Sequence, residues 1–314
     1  VTLLVVSAFC VLIGMCFLKV PWKKFEEAIV FNITNVATAV IILLLIGALS
    51  GAWMVSGVVP SLIYYGVQII HPDVFLVSSC IISAMVSVMT GSSWTTIATI
   101  GIALMGIGRA QGFDDGWIAG AIISGAYFGD KISPLSDTTV LASGSVNVQL
   151  FQHIRYMVIT TLPSIVIASV VFFVVGLMFE GSDTGEIAAF SQALSGRFNI
   201  TPWLLAVPVL TGIMIAKRWP PIITLFLSTL LAVVFALVFQ SDVLGEIADG
   251  DLFKGAMQSV YGSTSIPTDS QLLTDLVATR GMAGMMGTIW LILCAMCFGG
   301  TMEAGGMVRG ITQL

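Results

Sequence analysis

Apolar runs long enough to cross a bilayer, about 17 to 25 residues, recur along the whole of this chain, among them 33–49, 156–179 and 222–239. Only 9% of the residues are charged and 57% are hydrophobic, whereas a soluble domain carries roughly a quarter charged residues. With a mean hydropathy of +1.03, the solvent is a bilayer. Helices that satisfy their own backbone polar groups are the elements expected there.

Taken in order, spans are predicted near 1–18, 33–50, 57–70, 74–108, 117–148, 156–179, 203–216, 220–240 and 284–302. Val1 lies inside an apolar run and 308–314 stop just after another. Both ends are therefore expected to be truncated. The run 1–18 has no basic leader or small-residue cleavage site, so it reads as a cut transmembrane helix and not as a signal peptide. All five cysteines sit in apolar stretches and read as small buried side chains. The net charge of −5 is small, and the scattered basic residues give no footprint for nucleic acid.

Several spans are interrupted by polar and helix-breaking residues, which are costly at membrane depth unless they line a cavity. Ala48 to Pro60 interrupts the second, and Thr90-Gly91-Ser92-Ser93-Trp94-Thr95-Thr96 interrupts the fourth. Basic residues mark cytoplasmic loops, which places Lys19, Lys23, Lys24, Arg155, Lys217 and Arg218 inside. They fall on one side if 33–70 is a re-entrant hairpin followed by a broken helix, with the acidic stretches at 180–186 and 242–251 outside. The segment 46–57 can also be laid over 296–307, with Gly51 over Gly300 and Gly57 over Gly306. By the same parity the two hairpins enter from opposite sides, the arrangement of an inverted repeat.

The fold class predicted is an all-α polytopic membrane protein, an inverted-repeat transporter with re-entrant hairpins and broken helices. Residues 1–179 form its first half, with hairpin 33–70, broken helix 74–108 and an aspartate-bearing broken helix 117–148. Residues 180–202 are an extramembrane linker, and 203–314 begin a truncated second half. The mixed stretch 245–281 has no assigned role.

Chemistry concentrates in Gly129-Asp130-Lys131-Ile132-Ser133-Pro134-Leu135-Ser136-Asp137-Thr138-Thr139. An ionisable residue inside the membrane marks a functional site by default. Gly129 and Pro134 are expected to unwind the helix and free its carbonyls. Carboxylates, hydroxyls and carbonyls are hard oxygen ligands that suit a small alkali cation. Burial favours the protonated form of a carboxyl and a nearby cation its ionised form, so Asp130 and Asp137 are the candidate carriers of both ions. Supporting ligands are Ser133, Ser136, Thr138 and Thr139, with Gly91, Ser92, Ser93, Thr95 and Thr96 from the other break. Lys131 is a candidate counter-charge, and Gly51, Ser56 and Gly57 suit a hairpin tip beside the ion. His71 and His153 read as interface residues, and Glu303 as a third acid of interest. No lysine-containing phosphate loop and no His/Cys cluster for a transition metal is present. ATP-driven transport is therefore not expected within this chain, no cofactor is expected, and the reading is not an enzyme.

The segment 121–139, followed by Leu150-Phe151-Gln152-His153-Ile154-Arg155-Tyr156-Met157, closely resembles the NhaC family of sodium/proton antiporters in the ion transporter superfamily. Thr90 to Thr96 and Gly101 to Gly108 match the same family in the same order. The resemblance implies sodium/proton exchange across the inner (cytoplasmic) cell membrane, or in some members malate/lactate exchange coupled to these ions. NhaC-type chains often carry Asn after the paired threonines, where this chain has Val140. The implied partners are sodium ions, protons and membrane lipid, with a homodimer left open. A dicarboxylate carrier wants a fixed positive charge at its site. Only Lys131 is available, which favours cation exchange.

Overall fold

A computed structural model describes residues 2–134, 136, 138–139, 142–143, 148–178, 184–217, 219–266, 274 and 277–312. Among these residues the secondary structure is helical apart from one isolated bridge between Thr264 and Thr279. Four helices are long and apolar enough to span a bilayer: Trp22–Val55, Leu150–Met178, Pro221–Phe239 and Met282–Ala304. The outward side chains of Leu150–Met178 include Phe151, Ile167 and Met178, all well exposed. In a bilayer these meet acyl chains, not water. The chain is thus an all-α, multi-pass membrane protein.

It divides into two compact units, the first comprising 1–44 with 282–314 and the second 45–281. In the first unit, α1 (Thr2–Cys16) packs on the long helix Met286–Ala304, with the Cys10 thiol 3.9 Å from the Met302 sulfur. Gly300 admits the backbone of Ile29, whose N and Cα would lie 2.9 Å from any added Cβ. Gly306, at φ 72, separates this helix from Met307–Thr312.

The second unit takes up the end of α2 (Trp22–Val55) and holds α3 (Val58–Ile69) and α4 (Pro72–Thr90). The sequence expectation of a break somewhere in 48–60 narrows to Ser56-Gly57, where Gly57 adopts φ 79. Glycines 47 and 51 stay helical. Gly51 lies against the backbone carbonyl of Ser259, where a side chain has no room.

After α4 come α5 (Ser93–Thr96), a π-helical turn Ile97–Gly101, α6 (Ile102–Ala110) and α7 (Asp115–Ile132). Helices α4 and α7 run parallel, because Gly125 meets the backbone of Cys80 and Ala84, and Gly129 that of Ala84 and Val88. From the break α6 turns back, with Gly108 wedged against Phe75 and Ile118, so 74–108 doubles back as a helical hairpin and is not the single broken helix expected from the sequence. At the far end, Arg109 clamps Asp115 through two bonds of 2.7 and 2.6 Å. Those bonds hold the exposed Asp115 carboxyl below its ordinary range. Across this trio lies α8 (Leu150–Met178), with Gly176 at the backbone of Asp73 and Phe172 3.9 Å from a Cβ at Gly120.

The rest of the unit contains α9 (Thr184–Arg197), α10 (Ala206–Ala216), α11 (Pro221–Phe239), α12 (Ser241–Ile247) and α13 (Leu252–Tyr261). Their anchor is polar. The Trp53 indole N–H donates to Ser228 Oγ at 3.1 Å, and Ser228 shares a 2.7 Å hydrogen bond with Thr211. Trp53 is only 1% exposed and Ser228 fully buried, so Ser228→Ala would strand the indole donor. A loss of about 1 to 3 kcal/mol is expected, read as a lowered unfolding midpoint of the full-length protein in detergent. Gln240 fixes the neighbouring turn, accepting from Asn199 N and donating to Asn199 O, both at 3.1 Å.

Candidate ion site

Helix α4 ends because Gly91 takes the left-handed conformation, φ 66, and its N–H returns to Ser87 O at 2.8 Å. Ser92 is extended, and its hydroxyl caps the next helix by accepting from Thr95 N at 3.2 Å. The negative end of α4 and the positive start of the run from Ser93 therefore meet at Gly91-Ser92. Ser93, the first helical residue after the gap, is buried.

The second break lies at the end of α7. Ser133 is extended, at φ −77 and ψ 128, as the residue before a proline prefers. The expectation that Gly129 unwinds the helix does not hold, since α7 continues through it to Ile132. Its missing side chain serves packing instead, because an added Cβ would lie 2.6 Å from Ser87 Cβ and 2.8 Å from Val88 N. That closeness seats Asp130, in the last turn of α7, opposite the first break.

Ser93 Oγ donates to Asp130 Oδ2 at 3.2 Å. Asp130 is 6% exposed and is the only charged residue buried among those described. An ionised carboxylate offers about four acceptor positions, and the one described donor to it is this neutral hydroxyl.

Most other candidate ligands hold the two breaks together. Thr139 Oγ1 donates to the carbonyls of Asp130 and Lys131 at 3.2 and 3.3 Å. Ser133 Oγ donates to Val88 O at 2.8 Å and so ties the second turn to α4. Ser136 and Thr138 share a 3.0 Å bond. Thr95 donates to Ser92 Oγ at 3.1 Å and Thr96 to Ser92 O at 3.0 Å. These bonds spend hydroxyl protons on the turns. Asp137 lies outside the described residues.

Lys131 forms no ion pair among the described residues and lines a separate groove between α7 and α8. The nearest neighbours of Gly51 and Gly57 are Ser259 and Gln240, and the Ser56 hydroxyl donates to Trp53 O. Glu303 is exposed, and His71 caps the start of α4 with Asp73 3.2 Å away. Among the described residues no group of three His, Cys, Asp or Glu side chains is placed to hold a metal.

Sequence reasoning passed over Ser87, whose hydroxyl donates to Ala126 O at 2.5 Å just below the site. The repeat of Ser79, Ser83 and Ser87 every four residues on one apolar helix was the available signal.

Two helix breaks that bring a buried carboxyl and a hydroxyl together inside a multi-pass protein define an intramembrane oxygen site of the kind found in membrane transporters. The Na+/H+ antiporter family model matches residues 125–314, and the chain belongs to that family. It is 39% identical over 313 residues to the malate-2H(+)/Na(+)-lactate antiporter of Bacillus subtilis, covering 99% of this chain and 65% of that protein. To the Na(+)/H(+) antiporter NhaC of Alkalihalophilus pseudofirmus it is 38% identical over 307 residues, covering 97% and 65%. The arginine/ornithine antiporter ArcD of Halobacterium salinarum is 34% identical over 296 residues, covering 93% and 59%. The chain thus spans 65% or less of the length of these relatives. No solved structure shows a significant match.

Proposed function

We propose that the protein exchanges sodium ions for protons across the cytoplasmic membrane, with Asp130 as the carboxylate that the two ions occupy in turn. The observation that carries this reading is the burial of Asp130 beside the neutral Ser93 hydroxyl. A carboxylate taken out of water is costly unless its charge is met. Either a bound proton or a bound cation meets it, and one such oxygen cluster does not hold both at full strength.

Asp137, seven residues further on, is proposed as the second carboxylate of the cluster, and the Thr139 hydroxyl oxygen as an outer oxygen. The aligned glycine pairs support the proposed repeat. Gly51 and Gly300 both admit a neighbouring backbone within a helix, while Gly57 and Gly306 both break one at positive φ.

A second reading, exchange of small carboxylates coupled to the same ions, is favoured by the printed name of the Bacillus subtilis relative. Vesicles carrying the full-length protein, with an imposed pH gradient, separate the two. Sodium added alone is expected to dissipate the gradient and potassium is not. Dissipation that requires malate or lactate would replace the first reading with the second.

A further inference from the structure

We infer that the groove between α7 and α8 binds the phosphate of an anionic phospholipid through Lys131, Tyr127 and Ser124. The groove encloses about 330 Å³ and is lined by Ser124, Tyr127, Phe128 and Lys131 from α7, opposite Thr161, Ser164, Ile165 and Ala168 of α8. The α7 residues recur at spacings of three and four, so their side chains stack on one face. Ser124, Tyr127 and Lys131 carry hydrogen-bond donors without an acceptor among the described residues, and one of the three is a cation. Across the groove the hydroxyls are already spent, with Thr161 donating to Met157 O at 2.6 Å and Ser164 to Thr160 O at 3.5 Å. A row of donors that includes an ammonium, facing no carboxylate among the described residues, is complementary to an anion.

Depth identifies the source of that anion. Asp115 and Arg109, exposed and paired, mark one membrane surface at the start of α7. Lys131 lies sixteen residues further on, about 24 Å along the axis, while the hydrocarbon core is about 30 Å thick. Its ammonium is therefore within snorkelling reach of the opposite headgroups. Helix α8 runs antiparallel to α7, with Phe172 near Gly120 and Thr161 near Lys131. The exposed Arg155 then lies about 9 Å beyond Thr161, at the level of those headgroups. Two basic residues at one surface place it on the cytoplasmic side, where anionic lipids meet basic pockets between helices. Tyr127 and Ser164 are exposed at the mouth of the groove, so a lipid enters sideways without passing through the protein.

The test uses full-length protein stripped of lipid in a mild detergent and titrated with phosphatidylglycerol or phosphatidylcholine of the same chain length, with bound lipid counted by native mass spectrometry. Wild type is expected to retain phosphatidylglycerol in preference to phosphatidylcholine. Lys131→Gln should weaken phosphatidylglycerol binding about fivefold, the loss of one basic contact near the surface, and Lys131→Arg should restore it. Tyr127→Phe, which keeps the ring, should lower retention by a smaller factor, and Leu162→Ala on the outer face of α8 should leave it unchanged. Equal retention by wild type and Lys131→Gln, or equal retention of the two lipids, would overturn the proposal. Displacement by millimolar inorganic phosphate would overturn the lipid assignment and make this a site for a small free anion.

Discussion

Asp130→Asn is expected to abolish sodium-dependent proton movement while leaving the protein folded in the membrane. The amide keeps the volume of the carboxyl, and its oxygen still accepts from Ser93 Oγ, now 3.2 Å from Oδ2. The local fold therefore loses little. What disappears is the negative charge that a cation and a proton both require, since an amide neither titrates nor neutralises sodium. Asp114→Asn is the matched control: that residue is exposed and caps α7 by accepting from Gly116 N at 2.8 Å, a task asparagine performs equally well. Its exchange rate is expected to stay close to wild type. Undiminished exchange by Asp130→Asn in the vesicle assay would remove this residue from the mechanism.

Gly129→Ala should damage stability and the site together, because this glycine packs α7 on α4 next to Asp130. The new Cβ would lie against the Ala84 carbonyl oxygen, 2.6 Å from Ser87 Cβ and 2.8 Å from Val88 N. Backbone on a packed helix cannot swing aside as a side chain can, so α4 and α7 must separate. Overpacking of this kind costs about 1 to 3 kcal/mol. Separation also stretches the Ser133 bond to Val88 O and draws Asp130 away from Ser93, so exchange should fall even in protein that still folds. Gly120→Ala on the same helix is the comparison. There the nearest atom is on Phe172 at 3.9 Å, and the substitution should be neutral or mildly stabilising, since alanine is the better helix former. Matching unfolding midpoints for the two variants would show that α4 and α7 are not packed backbone to backbone at Gly129.

The breaks at Gly91 and Ser133 were legible because local chemistry decides them. A glycine free to adopt positive φ, followed by serines that cap a helix, ends one run and starts the next, and a proline constrains the residue before it. Gly51 and Gly129 misled because in sequence a helix-breaking glycine and a close-packing glycine look alike. Only the partner backbone, Ser259 O for one and Val88 N for the other, tells them apart. The start of α2 at Trp22 was not visible in hydropathy, since Lys23, Lys24, Glu26 and Glu27 belong to the helix but not to its apolar part. Sequence groups the hydroxyl residues around Asp130 as candidate ligands by their spacing alone. Sequence does not say which hydroxyl reaches the carboxyl. Ser93 does, while Thr95 and Thr96 donate to Ser92, because helix geometry puts their donors one turn from its acceptors. The π-helical turn at Ile97–Gly101 left no sequence signal that hydropathy or breakers reveal.

The central claim is that sodium and protons occupy one carboxyl site, and sodium affinity measured by calorimetry across the acidic to alkaline range tests it most directly. If sodium binds only to the ionised site, protonation and sodium binding are reciprocally linked. Affinity in wild type should then rise about tenfold per pH unit while one proton is displaced, and level off once the carboxyl is ionised. Asp130→Asn should show no measurable sodium binding at any pH. A wild-type affinity that stays flat with pH, or an Asp130→Asn variant that binds sodium like wild type, would contradict the shared site.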